Sequence, residues 1–221
     1  EKIHSQFPYM LASLCNEIKL KKLVHVSALG IQKGTLSKYM QSKLDGETNI
    51  QNTFNKSIIL RPSIIFGPED KFFNMFASLA EFSPFLPLIG GGKTKFAPIY
   101  VGDVAKAIVK ALELNNSEPK IYELGGPKNY SFKELMELLL KEIKKKRLLI
   151  PIPFWGGKIS SYIFQMMPKP LLTPDQVEML KYDNIVSGNY PLLKDFGISG
   201  TSIPTILPKY IYRFRKGGEF G

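Results

Sequence analysis

Tyr39 and Lys43 lie four residues apart, so on a helix they share one face. A phenol beside an ammonium is a proton-transfer pair, because nearby positive charge favours the phenolate and lowers the tyrosine pKa. Such a tyrosine can exchange a proton with a hydroxyl or carbonyl while hydride moves, and the lysine can hold sugar hydroxyls meanwhile. Spacing alone selects little, since it recurs at Tyr190/Lys194 and Tyr212/Lys216. Glu47, four residues further on, also offers Lys43 a competing salt bridge. What singles out the first match is its setting: a buried-strand pattern, KKLVHVS, precedes it and a second, SIILRPSIIFGP, follows it.

The elements around the pair alternate. Apolar residues at helical spacing (Met10, Leu11, Leu14, Ile18) predict a helix over 3–19, followed by a strand over 21–27. A glycine-containing loop over 28–34 leads to a helix over 37–51, then a strand over 56–66 with a break at Pro62. This alternation predicts an α/β fold, a doubly wound parallel sheet flanked by helices. Further on, the patterns predict a helix over 71–82 and a Pro- and Gly-rich loop over 83–98. A short strand over 98–101 follows, then a helix capped by Asp103, a strand over 120–124, and a helix opened by a Ser131/Glu134 capping box. Beyond residue 148, proline-bounded hinges flank a helix over 155–167, whose stripe of Trp155, Ile159, Tyr162, Ile163 and Met166 reads first as core and second as a partner or membrane surface.

Composition narrows the chemistry. Two histidines (His4, His25) and one cysteine (Cys15) assemble no metal-ligand spacing and no disulfide framework, and the lone cysteine fits a reducing compartment. Cys15 falls among apolar positions and reads as a small buried side chain. The formal net charge of +11 is densest at residues 141–147, where a solvated face or attraction to an anionic surface are both readings. No nucleic-acid-binding motif accompanies it. Apolar runs stop well short of the ~20 residues a membrane-spanning helix needs. Arg61, inside an apolar strand, needs partners: loop carbonyls and acids, or a ligand. Gly90–Gly91–Gly92 precedes KTKFAP rather than a helix and reads as a loop.

The order VSALG, SKYMQSKLDGE, ILRPSIIFGPED, IYVGDVAKAI and YELGGPKNYSFKEL resembles extended and atypical short-chain dehydrogenase/reductases, of the NAD-dependent epimerase/dehydratase type. More narrowly, with LTPDQVEMLKYDNIV and ILPKYIYRFRKGGEF, it is similar to the branch of large NAD(P)H-binding accessory subunits of respiratory complex I and their bacterial relatives. The resemblance implies a Rossmann-like fold with Tyr39 and Lys43 as the proton-relay pair. Ser27 would sit at the strand tip by the nicotinamide, with Pro62, Ser63 and Ile64 in the segment contacting that end of the cofactor. Active members place a Ser or Thr near the strand end. If Ala28 holds that position, with Ser27 one place early, the substrate carbonyl lacks a hydroxyl partner and catalysis is weak or absent.

The family's glycine-rich phosphate turn lies between its first strand and helix, and nothing like it occurs here. The chain begins at Glu1 inside a helical pattern, so the expectation is a sheet lacking its N-terminal strands. Residues 1–147 would form the C-terminal part of a dinucleotide-binding domain with a substrate-region insertion near 70–98, and residues 148–221 a small docking or substrate region. The implied function is an NAD(P)H-binding accessory or assembly subunit using NAD or NADP with the missing glycine-rich segment. It would meet complex I subunits or a membrane surface through the basic C-terminal region. It would be cytoplasmic, or peripheral on the inner face of the inner membrane (the matrix side in a eukaryote). The alternatives are an active NAD(P)-dependent epimerase, dehydratase or reductase on a nucleotide-linked or hydrophobic small substrate, and a fragment without cofactor binding of its own.

Overall fold

Strand β1 (Leu23–Val26) and strand β2 (Ser57–Pro62) run parallel in register Leu23 to Ser57, joined by the helix that carries the Tyr39/Lys43 pair. A computed structural model describes residues 2–32, 36–114, 120–164 and 172–219 of the chain. Before β1 stands α1 (Phe7–Glu17), led in by a π-helical turn at Lys2–Gln6. Between β1 and β2 stands α2 (Lys38–Thr53). All six residues of β2 are buried, as expected for an apolar run in a central strand.

The segment 56–66 divides where the sequence placed its break. After Pro62 the chain leaves the main sheet, and β3 (Ile65–Phe66) forms a separate parallel pair. Next come α3 (Phe72–Phe82), β4 (Phe85–Ile89), β5 (Lys95–Phe96) and β6 (Ile99–Tyr100), the last pairing with β3. Helix α4 (Val101–Glu113) then leads to β7 (Lys120–Leu124), which completes the parallel sheet in the order β1–β2–β7. β8 (Tyr130–Ser131) pairs antiparallel with β5, followed by α5 (Phe132–Glu142) with the Ser131/Glu134 capping box in place. β9 (Leu148–Ile152), α6 (Phe154–Phe164), α7 (Pro174–Met179) and two single-turn helices, α8 (Ile203–Ile206) and α9 (Pro208–Ile211), follow.

The sheet is wound on both faces. On one side Ile58 and Leu60 of β2 pack with Val104, Ala107 and Ala111 of α4. On the other lie α2 and α1, with Ala12, Cys15, Ile50 and Phe54 closing a small core of their own. Alternation along β2 explains the split, because Arg61 then faces α2. The fold is Rossmann-like. A second core joins α3, β4 and α5 to the last turns of the chain, through Phe73, Leu86, Leu135, Ile203 and Tyr210.

Three sequence expectations change. β4 lies in the segment expected to be loop, paired parallel with β9 in the segment expected to be a hinge. Both contain proline, Pro87 and Pro151, which a two-stranded pair tolerates because each strand has an unpaired edge. Asp103 is not the α4 cap: Tyr100 holds that position, and Asp103, fully buried in the first turn, accepts from Thr201 N at 2.6 Å. The α6 stripe is not core, since Trp155, Ile159 and Tyr162 are exposed; the side chains of Ile163 and Met166 lie outside the described residues. Residues 90–92, expected as a loop, form a tight turn in which the three glycines adopt φ of +64°, +69° and +70° and a Gly90 Cβ would strike the Phe154 ring. Among the described residues, no helix is long and apolar enough to cross a membrane.

Arg61 and Glu47 tie α2 to β2. They are 3% and 1% exposed, and the guanidinium fork meets the carboxylate twice, with Nε to Oε1 at 2.8 Å and Nη2 to Oε2. Removing one partner strands the other charge in the interior. Glu47→Ala is therefore expected to lower unfolding free energy by about 3–5 kcal/mol, and Glu47→Leu with Arg61→Met to recover most of that loss. Urea denaturation of the three proteins checks it, and a loss below about 1 kcal/mol for Glu47→Ala would remove the pair from this role.

Candidate functional site

The site is built on the N-terminal half of α2 where it crosses the C-terminal tip of β1. Ser37 caps the helix, its Oγ accepting from Met40 N at 3.2 Å. A carboxylate from far along the chain completes the cap. Asp175 in α7 accepts from Ser37 Oγ at 3.0 Å, Lys38 N at 2.8 Å and Tyr39 N at 3.3 Å. Helix N-termini favour negative charge, so this contact stabilises both the cap and the approach of α7. Gly46 lets the N-terminal segment come close from another side, for a Cβ there would lie 2.1 Å from the His4 carbonyl oxygen. The imidazole of His4 consequently meets the Tyr39 ring edge-on, with centroids 5.5 Å apart.

Lys43 is half-buried and does not pair with Glu47, which Arg61 has taken. Its Nζ donates instead to the Val26 carbonyl at the end of β1, at 3.2 Å. That bond uses one of three ammonium donors. One residue on, the Ser27 side chain is buried with no hydrogen-bond partner for Oγ, although its backbone N donates to Leu60 O at 2.7 Å. His25 Nε2, two residues before Ser27, is likewise buried without a partner. Free lysine donors beside an orphaned serine hydroxyl at a parallel strand tip fit a ligand bearing sugar hydroxyls, such as the ribose of a nicotinamide cofactor.

Burial governs the protonation states here. It pushes the Tyr39 phenol above its ordinary value, contrary to the lowering expected from Lys43. It also pulls Lys43 down, against a smaller opposing pull from Glu47. His25 drops to about 4, through burial first and the Lys43 charge second. The cluster therefore holds a protonated tyrosine and a neutral His25 at neutral pH. Burial opposes the Arg61 charge as well, but the Glu47 bonds outweigh it and its pKa rises. Arg61 also lies 5.0 Å from the Tyr190 ring centroid and hydrogen-bonds the Tyr190 side chain and the Gln32 amide oxygen, so its partners are protein groups.

The Pro62–Ile64 segment lies where β2 leaves the sheet. The Pro62 carbonyl accepts from Leu29 N at 2.8 Å, closing the loop after β1. Ser63 Oγ donates to Asn184 Oδ1 at 2.6 Å and accepts from Ala97 N at 3.2 Å. Ile64 is half-buried and lines an apolar cavity beside α2. Asn184 also sends its Nδ2 to Leu29 O at 2.7 Å, which makes it a junction of three segments. Sequence reasoning missed Asp175, Asn184 and His25. Asp175 had a signal, since Thr173 and Gln176 flank it in a capping box; Asn184 had none of its own.

Two outcomes follow. Asp175→Ala leaves three donors without their acceptor and is expected to cost about 1–2 kcal/mol, with faster amide exchange at Lys38 and Tyr39 than at Ile50. For His25 the folded pKa lies below the unfolded one, so the unfolded chain takes up the proton first as pH falls. Its contribution is whole above pH 6.5 and is lost between pH 6.5 and about 4. His25→Gln should flatten the stability profile across that window by on the order of 2–3 kcal/mol, measured as urea midpoints at successive pH values. An unchanged slope in the variant would contradict the assignment.

Known proteins bear on this arrangement. A model described as the NAD dependent epimerase/dehydratase family matches residues 4–125, the span holding β1, α2, β2 and β7. Subunit 9 of the mitochondrial NADH dehydrogenase (ubiquinone) 1 alpha subcomplex from Arabidopsis thaliana is 33% identical over 213 residues, covering 91% of this chain and 53% of that protein. The mitochondrial 40 kDa subunit of NADH-ubiquinone oxidoreductase from Neurospora crassa is 25% identical over 224 residues, covering 100% and 58%. The chain thus spans little more than half the length of these relatives. Among solved structures, dTDP-glucose 4,6-dehydratase from Bacillus anthracis in complex with NAD superposes with a TM-score of 0.67 at 18% identity, over 98% of this chain and 68% of that one, a likeness of fold. With the Tyr39/Lys43 helix and its two flanking parallel strands inside the matched span, the chain belongs to the NAD dependent epimerase/dehydratase family.

Proposed function

We propose that the chain belongs to a nicotinamide-cofactor-binding accessory or assembly subunit of NADH:ubiquinone oxidoreductase, in which Tyr39 and Lys43 clamp the cofactor more than they turn over substrate. The observation that carries this reading is the Lys43 ammonium bonded to the Val26 carbonyl with donors to spare, next to the orphaned Ser27 hydroxyl. In that role Lys43 would hold ribose hydroxyls, Ser27 would satisfy its Oγ on the same ligand, and Pro62, Ser63 and Ile64 would border the nicotinamide end. The cofactor, NAD or NADP, would supply hydride chemistry when bound. Similarity to respiratory-chain subunits over nearly the whole chain supports the accessory assignment.

The direction in which burial moves Tyr39 supports weak catalysis. A tyrosine that removes a proton from an alcohol must ionise readily, and burial has moved Tyr39 the other way. The Ser63 hydroxyl, a further donor near the site, is engaged by Asn184. A bound cofactor would then stabilise the folded subunit by mass action, a structural use of the same site. Residues 1–147 would supply the cofactor half and residues 148–221 the docking region. Lys141, Lys144 and Lys146 stand exposed at the edge of that region, and we assign them to partner subunits or the membrane surface on the matrix side. Lys145 and Arg147 of the same run are engaged internally, by Glu81 and by the Ala80 carbonyl.

Membership of an epimerase/dehydratase family favours one alternative, an active NAD(P)-dependent enzyme. Two variants separate the readings. In the assembled protein, Lys43→Met should weaken NAD(P)H binding tenfold or more, about 1.4 kcal/mol or above, while Tyr39→Phe, which keeps the ring and removes only the hydroxyl, should weaken it less than Lys43→Met does and leave complex assembly intact. Fluorescence of retained NAD(P)H and native gels report both. Turnover that collapses in Tyr39→Phe would establish the enzyme instead.

A further inference from the structure

Two cavities lie side by side under α3. The first, about 190 Å³, opens beside Met40, Ile64 and Asn184, next to the candidate site; the second, about 260 Å³, reaches Ile89, Ile152 and Ser160 at α6. They share a wall: Met75, Phe76, Phe132, Leu172 and Leu180 line both. Phe72, Phe76, Phe96 and Phe132 form the aromatic side of this wall, with neighbouring ring centroids 5.3–6.5 Å apart. Close-packed interiors leave few voids larger than a water molecule. These two are clefts open to solvent and lined mainly by apolar side chains, and together they reach the size of small-molecule sites.

We infer that this paired cavity binds the aliphatic chain of a lipid-like ligand whose polar end lies at the Tyr39/Lys43 site. The inference rests on the functional reading of that site and adds the class of molecule it receives. Chemistry selects the class. A nucleotide-linked sugar brings a diphosphate, which needs Arg or Lys donors. Among the described lining residues neither type occurs, and the one charged side chain, Asp183, is a carboxylate that would repel phosphate. Phe, Met, Leu and Ile dominate both linings, which suits a hydrocarbon. A linear chain would reach the second cavity by displacing side chains of the shared wall, such as the flexible Met75; a compact apolar ligand would fill only one.

The test uses the purified protein and a series of straight-chain alcohols from eight to fourteen carbons, below their micelle concentrations, displacing cis-parinaric acid fluorescence. Affinity should rise about fourfold per added methylene and level off once both voids are filled. Ser160→Phe blocks the far void, so it should weaken the longest alcohol more than tenfold and change the shortest less than twofold. Its melting curve is recorded alongside, and the wild-type series decides the matter whether or not the variant folds. Affinity independent of chain length, or displacement of the probe by UDP-glucose, would overturn the inference. NAD(P)H fluorescence read in the same samples keeps the two proposals apart. Cofactor retained with no alcohol binding sinks the chain site alone, and alcohol binding without cofactor sinks the clamp.

Discussion

Two charges buried at the α2–β2 interface set the position of everything that faces the candidate ligand. Glu47 and Arg61 have almost no solvent, so their desolvation is offset chiefly by a fork geometry in which both carboxylate oxygens are met. Such a contact tolerates little sliding or rotation of the helix. Lys43 lies one turn before Glu47 on the same face, and Tyr39 one turn earlier again. Fixing Glu47 on β2 therefore fixes Lys43 over the end of β1 and Tyr39 beyond it. It also decides which partner Lys43 receives. Arginine matches a carboxylate bidentately where lysine offers a point charge, so Glu47 goes to Arg61 and the ammonium is released to the Val26 carbonyl.

The other end of the helix depends on the C-terminal part of the chain. Asp175 supplies the acceptor for Ser37, Lys38 and Tyr39, so α7 and α2 are electrically joined at the site. Burial then drives Tyr39, Lys43 and His25 in the same chemical direction, each toward its neutral form. A site of this kind offers hydrogen bonds, shape and the Lys43 ammonium. That combination suits holding a polyhydroxylated ligand, whereas base catalysis requires a group that ionises near working pH.

Much of the parallel sheet was legible in the sequence because local signals and global fold agree there. The apolar run of β2, the helical pattern that starts at Ser37 and the Ser131/Glu134 box each point to the element that forms. Failures came where long-range packing overrode a local rule. Pro87 and Pro151 argue against strands, yet β4 and β9 form because each needs only one neighbour. Asp103 looks like a cap, but the strand before it ends at Tyr100, so its carboxylate falls inside the first turn and turns to Thr201. The Tyr39/Lys43 pair was visible while its electrostatics were not, since burial is a property of the whole fold. Asn184 was invisible because its partners, Leu29, Ser63 and Ala97, come together only in space.

The seam that Asn184 closes divides the molecule by chemistry. On one side, β1 and β2 end in parallel at Ser27 and Pro62, where open α/β sheets receive ligands. On the other, the chain has left the main sheet, and β3, β4, β5, β8 and β9 border a separate core rich in phenylalanine. Ser63 stands at the crossing, its hydroxyl tied to Asn184 and to the Ala97 amide, so the strand break cannot drift without breaking both bonds. Polar recognition is thereby confined to the strand tips, and apolar volume to the space beneath α3. A ligand with both characters would have to lie across the seam, its polar end against the sheet and its hydrocarbon against the second core.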